Sequence, residues 1–263
     1  MSIIEALILG IIQGLTEFLP VSSSGHLEVG TYLLGIKSEN NLLFAIILHG
    51  ATALSTIVVF RDTILGLIKG LLKFSWNEES QFVVKIIISM LPVGIIGVLF
   101  EKQIESFFSG NITLVATMLG ITGFLLLLTY YVNKEGSEVT FGKAFIIGIA
   151  QAIAIMPGIS RSGATISTAL LLGVDKAKAA RFSFLMVLPP ILGATLLKVL
   201  DFAKSTEPSG IETFPMIVGF LAAFISGLAA CTWMINLVKK GKLIYFAIYC
   251  LAIASIILIS TLF

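Results

Sequence analysis

Long uncharged apolar runs alternate with short polar interruptions along the 263 residues. A helix that spans a bilayer needs about 20 predominantly apolar residues. Runs meeting that requirement predict spans at 42–60, 82–100, 113–132, 182–200, 214–238 and 243–263. Two further stretches are apolar but broken. Residues 3–34 contain Glu5, Gln13, Glu17, Pro20, Ser22, Ser23, Ser24, Gly25, His26 and Glu28, and residues 144–173 contain Gln151, Pro157, Gly158, Ser160, Arg161, Ser162 and Gly163. Helix breakers are tolerated at membrane depth only where protein or a water-filled cavity satisfies the freed backbone. Each broken stretch is therefore expected to form a helix–turn–helix hairpin that re-enters the membrane rather than crossing it. The predicted fold is an all-α polytopic membrane bundle, a single transmembrane domain over residues 1–263.

The two broken stretches resemble each other. GIIQ at 10–13 answers GIAQ at 148–151, and Pro20-Val-Ser-Ser-Ser-Gly25 answers Pro157-Gly-Ile-Ser-Arg-Ser-Gly163 with a one-residue slip at the proline. The helix beginning at Phe44 answers the one beginning at Phe182 at the same offset of 138. A shared offset predicts internal repeats over approximately 1–130 and 140–263.

Charge suggests that the repeats are inverted. Arg61, Lys69 and Lys73 lie in 61–81, Lys176, Lys178 and Arg181 in 174–181, and Lys239, Lys240 and Lys242 in 239–242. The connections 101–112 and 201–213 carry one lysine each, Lys102 and Lys204. The positive-inside rule puts the first three in the cytoplasm and the last two outside. Helix 44–60 then runs opposite to its counterpart 182–200, with 3–34 entering from outside and 144–173 from the cytoplasm. Inverted repeats with broken helices place their polar site near the midplane.

Composition agrees with bilayer as solvent. Charged residues make up 12% and hydrophobic residues 57%, with a mean hydropathy of +1.05, against roughly 25% charged residues in soluble domains. The net charge of +2 gives no case for a nucleic-acid partner. Cys231 and Cys250 sit in apolar runs and read as small apolar residues, and two histidines exclude a His-rich metal centre. The first Lys or Arg is Lys37, so no basic leader region precedes the first apolar segment, which is expected to remain in the mature chain.

The candidate chemistry sits in the broken stretches. Gln13 and Glu17 are four apart and share a helix face. A carboxylate in an apolar stretch normally faces a cavity or partner. Glu17 reads as a general base or a ligand for a divalent cation, with a helix-capping or interfacial glutamate as the structural alternative. Glu5 reads as interfacial and Glu28 as structural. Ser22, Ser23, Ser24 and Gly25 can point several donors at one spot at a helix start. His26 beside them suits removal of a serine proton, or is a plain interfacial histidine. His49, inside an apolar helix, reads as structural. Arg161 offers a planar fork matched to phosphate oxygens, with Ser160 and Ser162 as further donors and Gly158 and Gly163 permitting close backbone approach. An ion pair between Arg161 and Glu17, holding the hairpins together and opening for substrate, is compatible with that role. Carboxylate, serine, histidine and arginine at membrane depth suit phosphoryl transfer on a substrate with a lipid tail.

With QGLTEFLPVSSSGH at 13–26 and PGISRSG at 157–163, essentially the whole chain resembles the undecaprenyl-diphosphatase family of the bacitracin-resistance type. Gln13 stands where some members carry a second glutamate, so Glu17 is the carboxylate available to a metal. The resemblance implies hydrolysis of undecaprenyl diphosphate to undecaprenyl phosphate and inorganic phosphate, recycling the carrier lipid for cell-wall synthesis and conferring bacitracin resistance. It implies interlocked inverted repeats in the bacterial inner (plasma) membrane, a divalent cation, magnesium or calcium, and a site open to the extracytoplasmic side. By matched position Ser23 is nucleophile or phosphate ligand. Glu17 and His26 take acid, base or metal roles, and Arg161 binds the diphosphate. Gln13, Ser22, Ser24, Gly25, Ser160, Ser162 and Gly163 line the substrate, and a homodimer is an open assembly. The acid-phosphatase type of lipid phosphatase is disfavoured, because no histidine follows His49. A transporter or flippase for undecaprenyl phosphate is the alternative class.

Overall fold

A computed structural model of the protein describes residues 1–36, 41–100, 103, 111–132, 136–204 and 212–261. Among these the regular structure is helical, and the one β contact is an isolated bridge between Ser137 and Val174. The helices are α1 (Ile3–Phe18), α2 (Ser23–Leu33), α3 (Asn41–Val59), α4 (Arg61–Leu71), α5 (Glu78–Leu99), α6 (Ile112–Tyr130), α7 (Phe141–Ile153), α8 (Arg161–Leu171), α9 (Lys176–Met186), α10 (Leu188–Lys204), α11 (Thr213–Lys239) and α12 (Ile244–Ser260). The connections at 101–112 and 201–213, placed outside the cell by charge, lie largely outside the described residues.

The outer surface is apolar. On α1 the buried face is Ala6, Leu9, Gly10, Gln13 and Gly14, while Ile4, Leu7, Ile11 and Leu15 are exposed. Hydrocarbon on both faces, with the few polar groups turned inward, is the pattern of a helix in lipid. Helices α5, α6 and α11 are each long and apolar enough to span a bilayer, as is the α9–α10 pair up to Leu200. The chain is a multi-pass helical membrane protein.

The two broken stretches are hairpins whose arms are short. At about 1.5 Å per residue, α1 (16 residues) reaches roughly 24 Å and α7 (13 residues) roughly 20 Å, less than the ~30 Å hydrocarbon core. The buried face of α7 is Ala144, Ile147, Gly148, Gln151 and Ala152, which repeat five of the seven buried α1 positions at an offset of 138. Each face meets a long helix from the opposite half of the chain. A Cβ built at Gly10 would lie 2.4 Å from the Gly219 carbonyl oxygen of α11, and one at Gly148 would lie 2.4 Å from the Ser89 carbonyl oxygen of α5. Only glycine allows either approach. The halves are thereby interlocked, with α1 on α11, α7 on α5, and α6 against α12.

Two elements differ from the sequence expectation. The stretch 61–81, read as a cytoplasmic loop, contains α4, which turns 75° from α3. Its exposed Leu65, Ile68 and Leu71 share the helix with Arg61 and Lys69, an amphipathic pattern suited to the membrane surface. The expected span 182–200 lies within the apolar stretch Lys176–Leu200, but its helix is interrupted at Val187, just before Pro189 and Pro190. Neither proline has an N–H to give to the Leu185 and Met186 carbonyls, and both are tolerated in the first turn of α10.

Candidate active site

The hairpin turns meet tip to tip. Ser162 Oγ donates to the Leu19 carbonyl at 3.2 Å, linking the turns directly, and the Ser160 backbone N–H donates to Thr122 Oγ1 of α6 at 3.0 Å. Gly158 adopts φ +93°, and a Cβ there would lie 2.2 Å from the Val115 carbonyl oxygen, so the second turn requires glycine on both counts.

Both turns present a helix N-terminus with the same local chemistry. Ser22 caps α2, its Oγ accepting from Gly25 N at 3.3 Å, and lies 3.3 Å from Ser24 Oγ. Ser160 caps α8, its Oγ accepting from Gly163 N at 3.1 Å, and lies 3.2 Å from Ser162 Oγ. Ser22 does so at φ 69°, a strained position for a residue with a side chain. Helix N-termini carry partial positive charge and free N–H groups, and two directed at one point form an anion cradle.

Between them lies a cavity of about 250 Å³ lined by Thr16, Glu17, Ser23, Ser24, His49, Gln151, Ser160, Arg161 and apolar groups including Val93, Ile155 and Pro190. Glu17 is its hub, with a side chain 7% exposed. One carboxylate oxygen, Oε1, is ion-paired with the Arg161 guanidinium. The other, Oε2, accepts from Ser23 Oγ at 2.8 Å and from Gln13 Nε2 at 2.9 Å. His49 Nε2 stands 3.5 Å from Oε2. Buried carboxylates persist where they are paired and hydrogen-bonded, and removal of one partner from such a pair costs about 3–5 kcal/mol.

Of the residues singled out in the sequence, Glu17, Ser23, Ser24, Ser160 and Arg161 line this cavity. Ser22, Gly25, Ser162 and Gly163 lie behind it, in the caps and the tip contact. Gln13, fully buried, orients Glu17. His26 turns elsewhere: Nδ1–H donates to the Ser22 carbonyl at 2.8 Å, and Nε2 accepts from the Tyr249 hydroxyl at 2.8 Å. The Ser23 hydroxyl is thus given to Glu17 rather than to His26. Glu5 closes a capping box with Ser2 at the start of α1.

Sequence reasoning passed over His49 and Gln151. His49 was read as structural, yet it faces Glu17, with Nδ1–H donating to the Ala45 carbonyl at 2.8 Å. No signal in the sequence marked it, since the position 138 residues on is Val187.

A divalent cation has oxygen ligands to meet here. The Glu17 carboxylate lines the cavity and is of the type hard cations take. No group of three or more His, Cys, Asp or Glu that could hold a metal occurs among the described residues. An ion here would complete its shell with water and substrate oxygens, as magnesium commonly does.

A family model described as "Bacitracin resistance protein BacA" matches residues 6–256. A protein of Christiangramia forsetii named undecaprenyl-diphosphatase is 58% identical over 258 residues, covering 96% of each chain. One of the same name from Parabacteroides distasonis is 55% identical over 262 residues, 99% of this chain and 98% of its own. Another, from Methanobrevibacter smithii, is 38% identical over 278 residues, covering 100% and 99%. A match that runs from α1 into α12 takes in both hairpin turns, and the chain belongs to the bacitracin resistance protein BacA family.

Proposed function

We propose that the protein hydrolyses undecaprenyl diphosphate to undecaprenyl phosphate and inorganic phosphate. The reaction recycles a carrier lipid for cell-wall synthesis at the extracytoplasmic side of a bacterial inner membrane. The observation that carries this reading is the Glu17 carboxylate, which holds Arg161 and the Ser23 hydroxyl in one cavity between two helix N-termini. The family and the shared name of its relatives supply the substrate class.

The ion pair gives the site a resting state and a trigger. Without substrate, Glu17 neutralises Arg161. An entering diphosphate brings more negative charge than one carboxylate and offers the guanidinium a bidentate partner. Arg161 transfers to the phosphate, and Glu17 keeps Ser23. The freed carboxylate accepts the Ser23 proton as Oγ attacks the terminal phosphorus. The bond from that phosphorus to the bridging oxygen breaks, and undecaprenyl phosphate leaves as an anion without needing a proton. Water then attacks the phosphoserine phosphorus, the bond to Ser23 Oγ breaks as Glu17 returns its proton to that oxygen, and inorganic phosphate departs with the water's oxygen while the proton released goes to solvent. Throughout, Arg161 and the N–H groups opening α2 and α8 oppose the charge on the equatorial oxygens, the main requirement of phosphoryl transfer. A magnesium or calcium ion held by Glu17 would add charge neutralisation at the phosphate oxygens.

The test is phosphate release from undecaprenyl diphosphate by the purified protein in detergent, with no ion gradient, repeated with chelator and with added magnesium or calcium. A phosphatase releases phosphate under these conditions. A protein that only moves undecaprenyl phosphate across the membrane releases none, and that result would overturn the reading.

A further inference from the structure

Gln151 stands out as a buried amide with nothing to hold. It is 2% exposed, it lines the cavity, and neither Nε2 nor Oε1 has a hydrogen-bond partner. An unpaired buried amide is costly, so buried amides are nearly always bonded. Its counterpart Gln13, 138 residues earlier, shows what is missing. Gln13 donates to Glu17 one helical turn on. The residue one turn on from Gln151 is Ile155, which offers no acceptor. The second hairpin therefore carries the amide of the first without its carboxylate, and Gln151 lines the cavity shared with Ser23 and Arg161.

An acceptor supplied from outside the protein would complete the pattern. We propose that Gln151 is a substrate-binding residue whose Nε2 donates to a non-bridging oxygen of the bound diphosphate, taking the place that Glu17 fills for Gln13. This rests on the phosphatase reading above. The close approach of Gly148 to Ser89 fixes α7 against α5 one turn before Gln151, so the amide is held at the cavity wall before substrate arrives. The two glutamines then divide the work. Gln13 orients the base, and Gln151 orients the group that is attacked.

The decisive feature is that affinity and stability move in opposite directions. Gln151→Leu removes an amide that has no partner in the free protein, so its melting temperature should hold or rise. Its KM for undecaprenyl diphosphate should rise about ten- to hundredfold, the loss expected for one hydrogen bond to a charged group. The stabilisation of the protein by inorganic pyrophosphate, read as a shift in melting temperature, should weaken in parallel. Gln151→Glu, equal in size, should bind pyrophosphate more weakly still, and it serves if the leucine variant does not fold. A fall in melting temperature with unchanged KM and unchanged pyrophosphate shift would make Gln151 a structural residue and overturn the proposal, as would no change in any of the three. If the wild-type protein releases no phosphate, the phosphatase reading fails. The pyrophosphate shift still decides whether Gln151 holds an anion.

Discussion

At the residue scale the site is a competition for one arginine. Arg161 is 28% exposed and its partner Glu17 only 7%, so the guanidinium is the member of the pair that an entering anion can reach. Glu17→Gln should keep a hydrogen-bonding side chain beside Ser23 while removing the base, and phosphate release should fall on the order of 10²–10⁴-fold. Ser23→Ala should abolish release, and an acid quench of the wild-type protein with labelled substrate should yield phosphoserine. Substantial turnover by Ser23→Ala would mean direct attack by water, with the serine as a donor only. Glu17 and Arg161 were legible in the sequence because charge inside apolar segments has few other uses, whereas Ser23 was picked from three adjacent serines by the family resemblance alone. The partners of His26 were not, because Tyr249 lies 223 residues away and sequence adjacency to serine carries no direction. His49 was hidden for the same reason: its contact with Glu17 exists only once α3 packs beside α1.

At the scale of elements, most spans were legible from length and hydropathy alone, although the run at 243–263 forms only the 17-residue α12. Predicted runs at 82–100, 113–132 and 214–238 correspond to α5, α6 and α11. Breaks were legible where a breaker stands between apolar arms, as at Pro20 and Pro157. They were missed where a proline pair sits inside a run that is apolar throughout, as at Pro189-Pro190, since hydropathy is blind to backbone geometry. Helix α4 was missed because its charges match those of a loop and only its periodicity differs. The turn between α7 and α8 is the most exacting element. Gly158→Ala places a methyl group against the Val115 carbonyl at a positive φ, and should destabilise the protein by at least about 1–3 kcal/mol. Thermal unfolding in detergent measures this, and a melting temperature equal to wild type would show that the turn adapts.

At the scale of the molecule, the two halves are held by crossing contacts, since the main partner of each hairpin's first arm, α11 for α1 and α5 for α7, belongs to the other half. The offset of 138 made the likeness legible, and the matching buried faces of α1 and α7 carry it into three dimensions. The interlocking was not legible, because it depends on which long helix each glycine face meets. The orientation expected from charge is open to a direct check. Both native cysteines are fully buried, so introduced thiols report with little background. A cysteine at Ser75 or Lys240, both exposed, should react with a membrane-impermeant reagent only from the cytoplasmic side. One at Ser24 in the cavity should react only from the opposite side. Labelling of both from the same side would reverse the proposed access.

The most direct measurement is the rate of phosphate release from undecaprenyl diphosphate by purified wild-type protein beside Arg161→Ala, with folding of the variant verified by its elution as a single species and by its melting temperature. The predicted result is a loss of about 10²–10³-fold, the usual consequence of removing one positioned charged donor, in a variant that remains folded. Near-normal turnover by folded Arg161→Ala would contradict a site in which two hairpin turns share one bound diphosphate.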